Sequence, residues 1–115
     1  MTLNIKTLSS FNKDAKRLFK KYKQLPNDLK LLHKELLENP KSGIELAHRC
    51  YKIRVANSSI PTGKSGGFRV IYYYIDAMQN IFLMKMYSKS ELENIDDDII
   101  LNILKENGLL DNLRE

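Results

Sequence analysis

Midway along this chain the spacing of apolar residues changes from a helical period to a period of two, and that change limits the fold more than any other feature. From Phe11 the apolar positions fall at Phe11, Ala15, Leu18, Phe19 and Tyr22, one face of a helix, with Lys13, Lys16, Arg17, Lys20, Lys21 and Lys23 around the remainder. Pro26 then supplies the backbone angle of a second helix start, and Leu29, Leu32, Leu36 and Leu37 keep helical spacing until Asn39-Pro40 stops it. Together these segments predict a helical hairpin. Ahead of them Leu3 and Ile5 alternate with Asn4 and Lys6, which suits a short first strand, and Ser9 or Ser10 is placed to cap the first helix. From Tyr51 the period is two: Tyr51, Ile53 and Val55 on one face, Lys52 and Arg54 on the other. A Gly/Ser/Pro-rich loop over 57–67 follows, then a central strand over 68–75, a turn at 76–80 and a fourth strand over 81–87. These last three strands predict an antiparallel meander. Asp96, Asp97 and Asp98 precede Ile99, Ile100, Ile103 and Leu104, with Gly108 beyond, the pattern of a C-terminal helix at about 96–107 whose acids favour its N-terminal dipole.

At 115 residues there is room for one core, so a single domain over 1–115 is expected, of class α+β. The longest apolar run, Val70 to Ile75, is far shorter than the roughly 20 residues a bilayer span needs. No signal sequence is visible at the N-terminus, and a lone Cys50 cannot form an internal disulfide, so a cytoplasmic protein is expected. Charge is unevenly spread. Residues 1–90 carry 17 Lys/Arg against 6 Asp/Glu, whereas residues 91–115 carry 2 against 8. A body that basic is the electrostatic footprint of a protein that meets phosphates.

Most candidate chemistry fails on spacing. Gly63-Lys64-Ser65 resembles the end of a P-loop, but Ser58 stands where the first glycine belongs and a strand follows instead of a helix. The basic body's carboxylates, Asp14, Asp28, Glu35, Glu38, Glu45 and Asp76, lack metal-ligand spacing, and Asp96–Asp98 are helix-start residues first. His33 and His48 give no convincing acid–base pair, and Cys50 has no orienting partner, so a small packing residue is favoured over a nucleophile. What remains is a cationic strand face. Lys52 and Arg54 project from one side, Arg69 begins the next strand, and Lys85, Tyr87 and Lys89 lie on or just past the last; strand register decides which of them converge. Solvated charges on an open sheet face are the competing account.

Three stretches, Cys50-Tyr-Lys-Ile-Arg-Val55, Gly66-Gly-Phe-Arg-Val-Ile-Tyr-Tyr73 and Met86-Tyr-Ser-Lys-Ser-Glu91, resemble the RelE/HigB family of bacterial toxin–antitoxin toxins, over about residues 10–105. The resemblance implies a RelE-like fold: a short N-terminal strand, a two-helix hairpin packed on an antiparallel meander, and a C-terminal helix. It also implies a toxin that cuts messenger RNA in the ribosomal A site with neither metal nor cofactor and that is held by a cognate antitoxin. The family's strand pair of basic residues falls on Lys52 and Arg54, its phosphate-clamping arginine on Arg69, and its basic residue after the last strand on Lys89. Ile95 stands where several members carry a tyrosine, leaving Tyr87 as the stand-in.

RNA brings its own nucleophile, the 2′-hydroxyl, so in-line attack gives a 2′,3′-cyclic phosphate, and cations aimed at the phosphoryl oxygens stabilise the charge that develops. In that scheme Arg54 and Arg69 hold the phosphate, Lys52 is the base, and Lys89 serves the leaving oxygen. Tyr73 or Tyr87 stacks on a base, Lys64 and Lys85 add contacts, and Lys13, Lys16, Arg17 and Lys20 grip ribosomal RNA. Two alternatives remain open: a ParE-like inhibitor of DNA gyrase acting by protein binding alone, and a double-stranded RNA-binding domain, against which the second helix before the meander counts.

Overall fold

A computed structural model describes residues 3–61, 66–75 and 78–110. Its elements run β1 (Asn4–Thr7), α1 (Ser9–Lys21), α2 (Leu25–Glu38), β2 (Ile44–Glu45), β3 (Cys50–Val55), β4 (Phe68–Ile75), β5 (Asn80–Ser88) and α3 (Asp97–Glu106). The strands form one sheet in the order β1-β5-β4-β3-β2. β3, β4 and β5 make the expected antiparallel meander, but β1 joins β5 in parallel, so the sheet is mixed. β2, a two-residue strand on the far edge, lies in a connection too short and polar to show a period.

Alternation along the strands divides their side chains between two apolar clusters. Tyr51, Ile53, Val55, Phe68, Val70, Tyr72 and Tyr74 face one way and pack with Phe11, Leu18 and Tyr22 of α1 and Leu25, Leu32 and Leu36 of α2. Cys50, Ile71, Tyr73, Met84 and Tyr87 face the other way and pack with Ile100, Ile103 and Leu104 of α3. Burying each such aliphatic side chain contributes roughly 1.5–3 kcal/mol, which is why both helix layers stay on the sheet. α3 covers only part of its face, and the end it leaves open carries Lys52, Arg54 and Arg69.

Polar side chains do much of the joining. Leu8, not a serine, is the N-cap of α1, and no side chain caps it; Ser10 Oγ donates instead to the Met84 carbonyl. β1 stops pairing at Leu83, and from there α1 covers the bare edge of β5: Leu8 N–H donates to the Leu83 carbonyl, and the Asp14 carboxylate accepts from Met86 N–H at 3.0 Å. On α2, Asp28 is equally buried and accepts from Ser58 N–H at 3.1 Å, which fixes the start of the long loop. Tyr72 Oη donates to the Pro40 carbonyl and accepts from Gly43 N–H, pinning the chain ahead of β2. The turn expected at 76–80 lies partly outside the described residues, and Asn80 already belongs to β5.

Candidate nucleic-acid interface

Strand register brings the cations together. Arg54 on β3 stands directly opposite Arg69 on β4, and Arg69 stands opposite Tyr87 on β5. Like charges directly opposite each other disfavour a sheet, so the register concentrates positive charge at this end of β3 and β4. Past β5, Lys89 N–H donates to the Gly67 carbonyl at 3.1 Å, which holds the chain exit beside the start of β4 and puts Lys89 next to Arg69. Gly67 lets the end of β3 lie close on its other side, because a Cβ there would overlap the Val55 carbonyl oxygen.

Lys52, Arg54, Arg69 and Lys89 line one hollow of about 210 Å³, with Ile44, Glu93 and Asn94 completing its wall. Lys52 Nζ reaches Asn94 Oδ1 at 3.5 Å. Arg69 forms the floor: it is only 6% exposed, and its Nη1 donates to the Phe68 carbonyl. Burial, reinforced by the Arg54 charge, lowers its pKa, while Tyr87 acts in the opposite sense. A guanidinium remains protonated under any such shift, so Arg69 is a fixed positive charge in the floor of the hollow. Tyr87 lies beside it with its ring buried and its hydroxyl without a hydrogen-bond partner among the described residues; burial raises its pKa and Arg69 opposes this.

Other predicted residues lie elsewhere. Tyr73 is fully buried under α3 and offers no ring face to a base. Nor does Tyr87, at 2% exposure, present one. Lys85 bonds to Asp14 on α1 at 3.1 Å and does not line the hollow. Lys13, Lys16 and Lys20 are exposed along α1, whereas Arg17 is engaged by Glu91 at 2.7 Å. Lys64 lies outside the described residues. His33 and His48 are exposed and line no part of the hollow. The Cys50 thiol is fully buried, and burial pushes it up to about 12, so it packs and does not attack. Ile95 packs against the α3 cluster. Glu93, Asn94 and Ile44 were not foreseen; the reversal after Ser88, where Glu91 and Leu92 N–H both donate to the Ser88 carbonyl, has no periodic signature.

No family model matches the sequence. Among solved structures, a doubly substituted toxin RelE of E. coli in the free state superposes with a TM-score of 0.59 at 21% identity, covering 92% of this chain and 98% of that one. A metal-bound toxin from Helicobacter pylori matches 79% of this chain and 99% of its own at 26% identity, with a TM-score of 0.43. The RelE superposition establishes the fold: a RelE-like fold across almost the whole chain.

Proposed function

We propose, with the RelE-like fold as premise, that this protein is the toxin of a type II toxin–antitoxin pair and an endoribonuclease that cuts messenger RNA on the ribosome. The observation that carries this reading is the hollow in which Arg54 and Arg69, directly opposed, meet Lys52 and Lys89. Four cations around a space of that size suit a single phosphodiester and are hard to account for as surface charge, since Arg69 is almost wholly buried.

In the proposed mechanism Arg69, fixed in the sheet, and Arg54, exposed at the rim, hold the non-bridging oxygens of the scissile phosphate through planar forks. Lys52 takes the proton of the 2′-hydroxyl, which attacks in line. The 5′-oxygen leaves with a proton or charge compensation from Lys89, and the product ends in a 2′,3′-cyclic phosphate. Tyr87 beneath Arg69 is a positioning residue. The proposed partners are a cognate antitoxin, the ribosomal A site and messenger RNA, in a cytoplasmic setting.

A purified translation assay with mapping of RNA ends tests this. Wild type is expected to leave cyclic phosphate ends, and Arg69→Lys or Arg54→Ala to reduce cleavage by about 10²–10³-fold, the usual loss for one charge-stabilising donor. Lys52→Ala is expected to flatten the acidic limb of the pH–rate profile, where a general base gains activity by losing its proton, and an unchanged profile would remove Lys52 from that role. Intact messenger with stalled DNA gyrase would replace this reading with the ParE-like one.

A further inference from the structure

A second hollow, of about 370 Å³, opens on the other side of the β5 exit, lined by Arg17, Lys21 and Tyr22 of α1 and its C-cap and by Ser88, Ser90 and Glu91. Consecutive residues face the two spaces: Ser88 lines this one and Lys89 lines the first. Inside it the Glu91 carboxylate takes Arg17 Nη1 at 2.7 Å on one oxygen, and Arg17 Nη2 at 3.1 Å and Ser88 N–H at 3.0 Å on the other. Two guanidinium N–H groups and a backbone N–H converging on paired oxygens make the recognition pattern of a bound phosphate. Ser88 Oγ and Ser90 Oγ, 3.2 Å apart, supply two further hydroxyls, and the Lys21 ammonium rests over the Tyr22 ring within the same wall.

We propose that this hollow is a second phosphate subsite, for the RNA backbone beside the cleaved linkage, and that Glu91 occupies it as an internal stand-in until RNA displaces it. This rests on the RNA-cutting reading above. The occupant is easily displaced, because the Arg17 side chain is half exposed, that of Glu91 is 35% exposed, and exposed ion pairs hold little free energy. Arg17 does not have Asp14 as an equal alternative: that carboxylate lies at 3.7 Å and already accepts from Lys85 Nζ and Met86 N–H. Burial pushes the Glu91 carboxyl up, but Arg17, the Ser88 N–H and Lys21 outweigh it and hold the group below the ordinary glutamate range, so it is ionised wherever the protein works. Glu93 and Asn94, two and three residues after Glu91, wall the first hollow, and Asn94 accepts from Lys52 Nζ there.

The test is binding of a 2′-O-methyl oligoribonucleotide, which cannot be cut, to the full chain by fluorescence anisotropy across a salt series. Glu91→Gln keeps an acceptor for Ser88 N–H but removes the charge. It is expected to tighten binding several-fold and to steepen the plot of log K against log salt by about 0.7, the increment for one more phosphate contact on a single strand. Arg17→Ala is expected to weaken binding and to abolish the effect of Glu91→Gln in the double variant. Lys21→Ala, which leaves the ion pair intact, should also weaken binding and keeps the test decisive if Arg17→Ala fails to fold. Unchanged affinity and slope in Glu91→Gln and Lys21→Ala, with Arg69→Ala still weakening binding, would reduce the pair to a structural clip and sink the subsite alone. If Arg69→Ala changes nothing either, the RNA-cutting reading falls and takes this proposal with it.

Discussion

Asp14 shows how much one side chain decides in this molecule. It is 5% exposed on the face of α1 that otherwise buries Phe11 and Leu18, and it holds both Lys85 Nζ and Met86 N–H. Removing it strands a backbone donor and a half-buried ammonium together, and unpaired groups of that kind cost far more than the bonds were worth. Asp14→Ala is therefore expected to lose about 2–4 kcal/mol in urea unfolding, and Asp14→Asn less, since an amide oxygen still accepts from Met86 N–H. The same bond explains why Lys85 is absent from the cationic hollow: its charge is spent on α1.

At the level of elements, the site depends on three pieces of backbone held unusually close: the end of β3, the start of β4 and the exit of β5. Gly67 sits where they meet, its would-be Cβ overlapping the Val55 carbonyl and its own carbonyl bonded to Lys89 N–H. Gly67→Ala forces β3 and β4 apart and is expected to destabilise the fold by about 2–3 kcal/mol, as overpacking does. Because the same movement separates Arg54, Arg69 and Lys89, RNA affinity should fall in folded protein well below the unfolding midpoint. Retained affinity in folded Gly67→Ala would show that the three-way junction does not set the site. α3 works by a different rule: its apolar side packs over Ile71, Tyr73 and Met84 and stops short of the arginines, so the sheet face is sealed at one end and open at the other.

For the molecule as a whole, charge and shape agree. The basic body presents the candidate hollow, the exposed lysines of α1 and, between them, the space held by Glu91. Reversing Lys13, Lys16 and Lys20 to glutamate is expected to weaken ribosome binding and flatten its salt dependence by about 0.7–0.9 per lost phosphate contact, with cleavage at saturating ribosome unchanged. Salt dependence that stays at the wild-type slope would make α1 a solvated face and nothing more. Phe19 belongs to the apolar stripe of α1 by spacing, yet it is 43% exposed: Leu18 beside it and Tyr22 after it take the buried positions, and the Lys23 ammonium lies over its ring.

Most features that depend on near neighbours along the chain were legible in the residues alone, the serine cap of α1 excepted. Alternation over Tyr51–Val55 put Lys52 and Arg54 on one face, helical spacing placed Leu18 and Leu36 inward, and the acidic run before Ile99 marked the start of α3, with Gly108 at φ 69° beyond its end. Pairings between distant segments, in contrast, were settled by the folded chain. The register that sets Arg54 against Arg69, the bond that ties Lys85 to Asp14, the burial of Tyr73 and Tyr87 under α3, and the clasp of Glu91 by Arg17, 74 residues away, all belong to that class. The reason is physical: a side chain's direction follows from its own backbone period, whereas a one-residue shift between strands changes every partner without altering a single local preference.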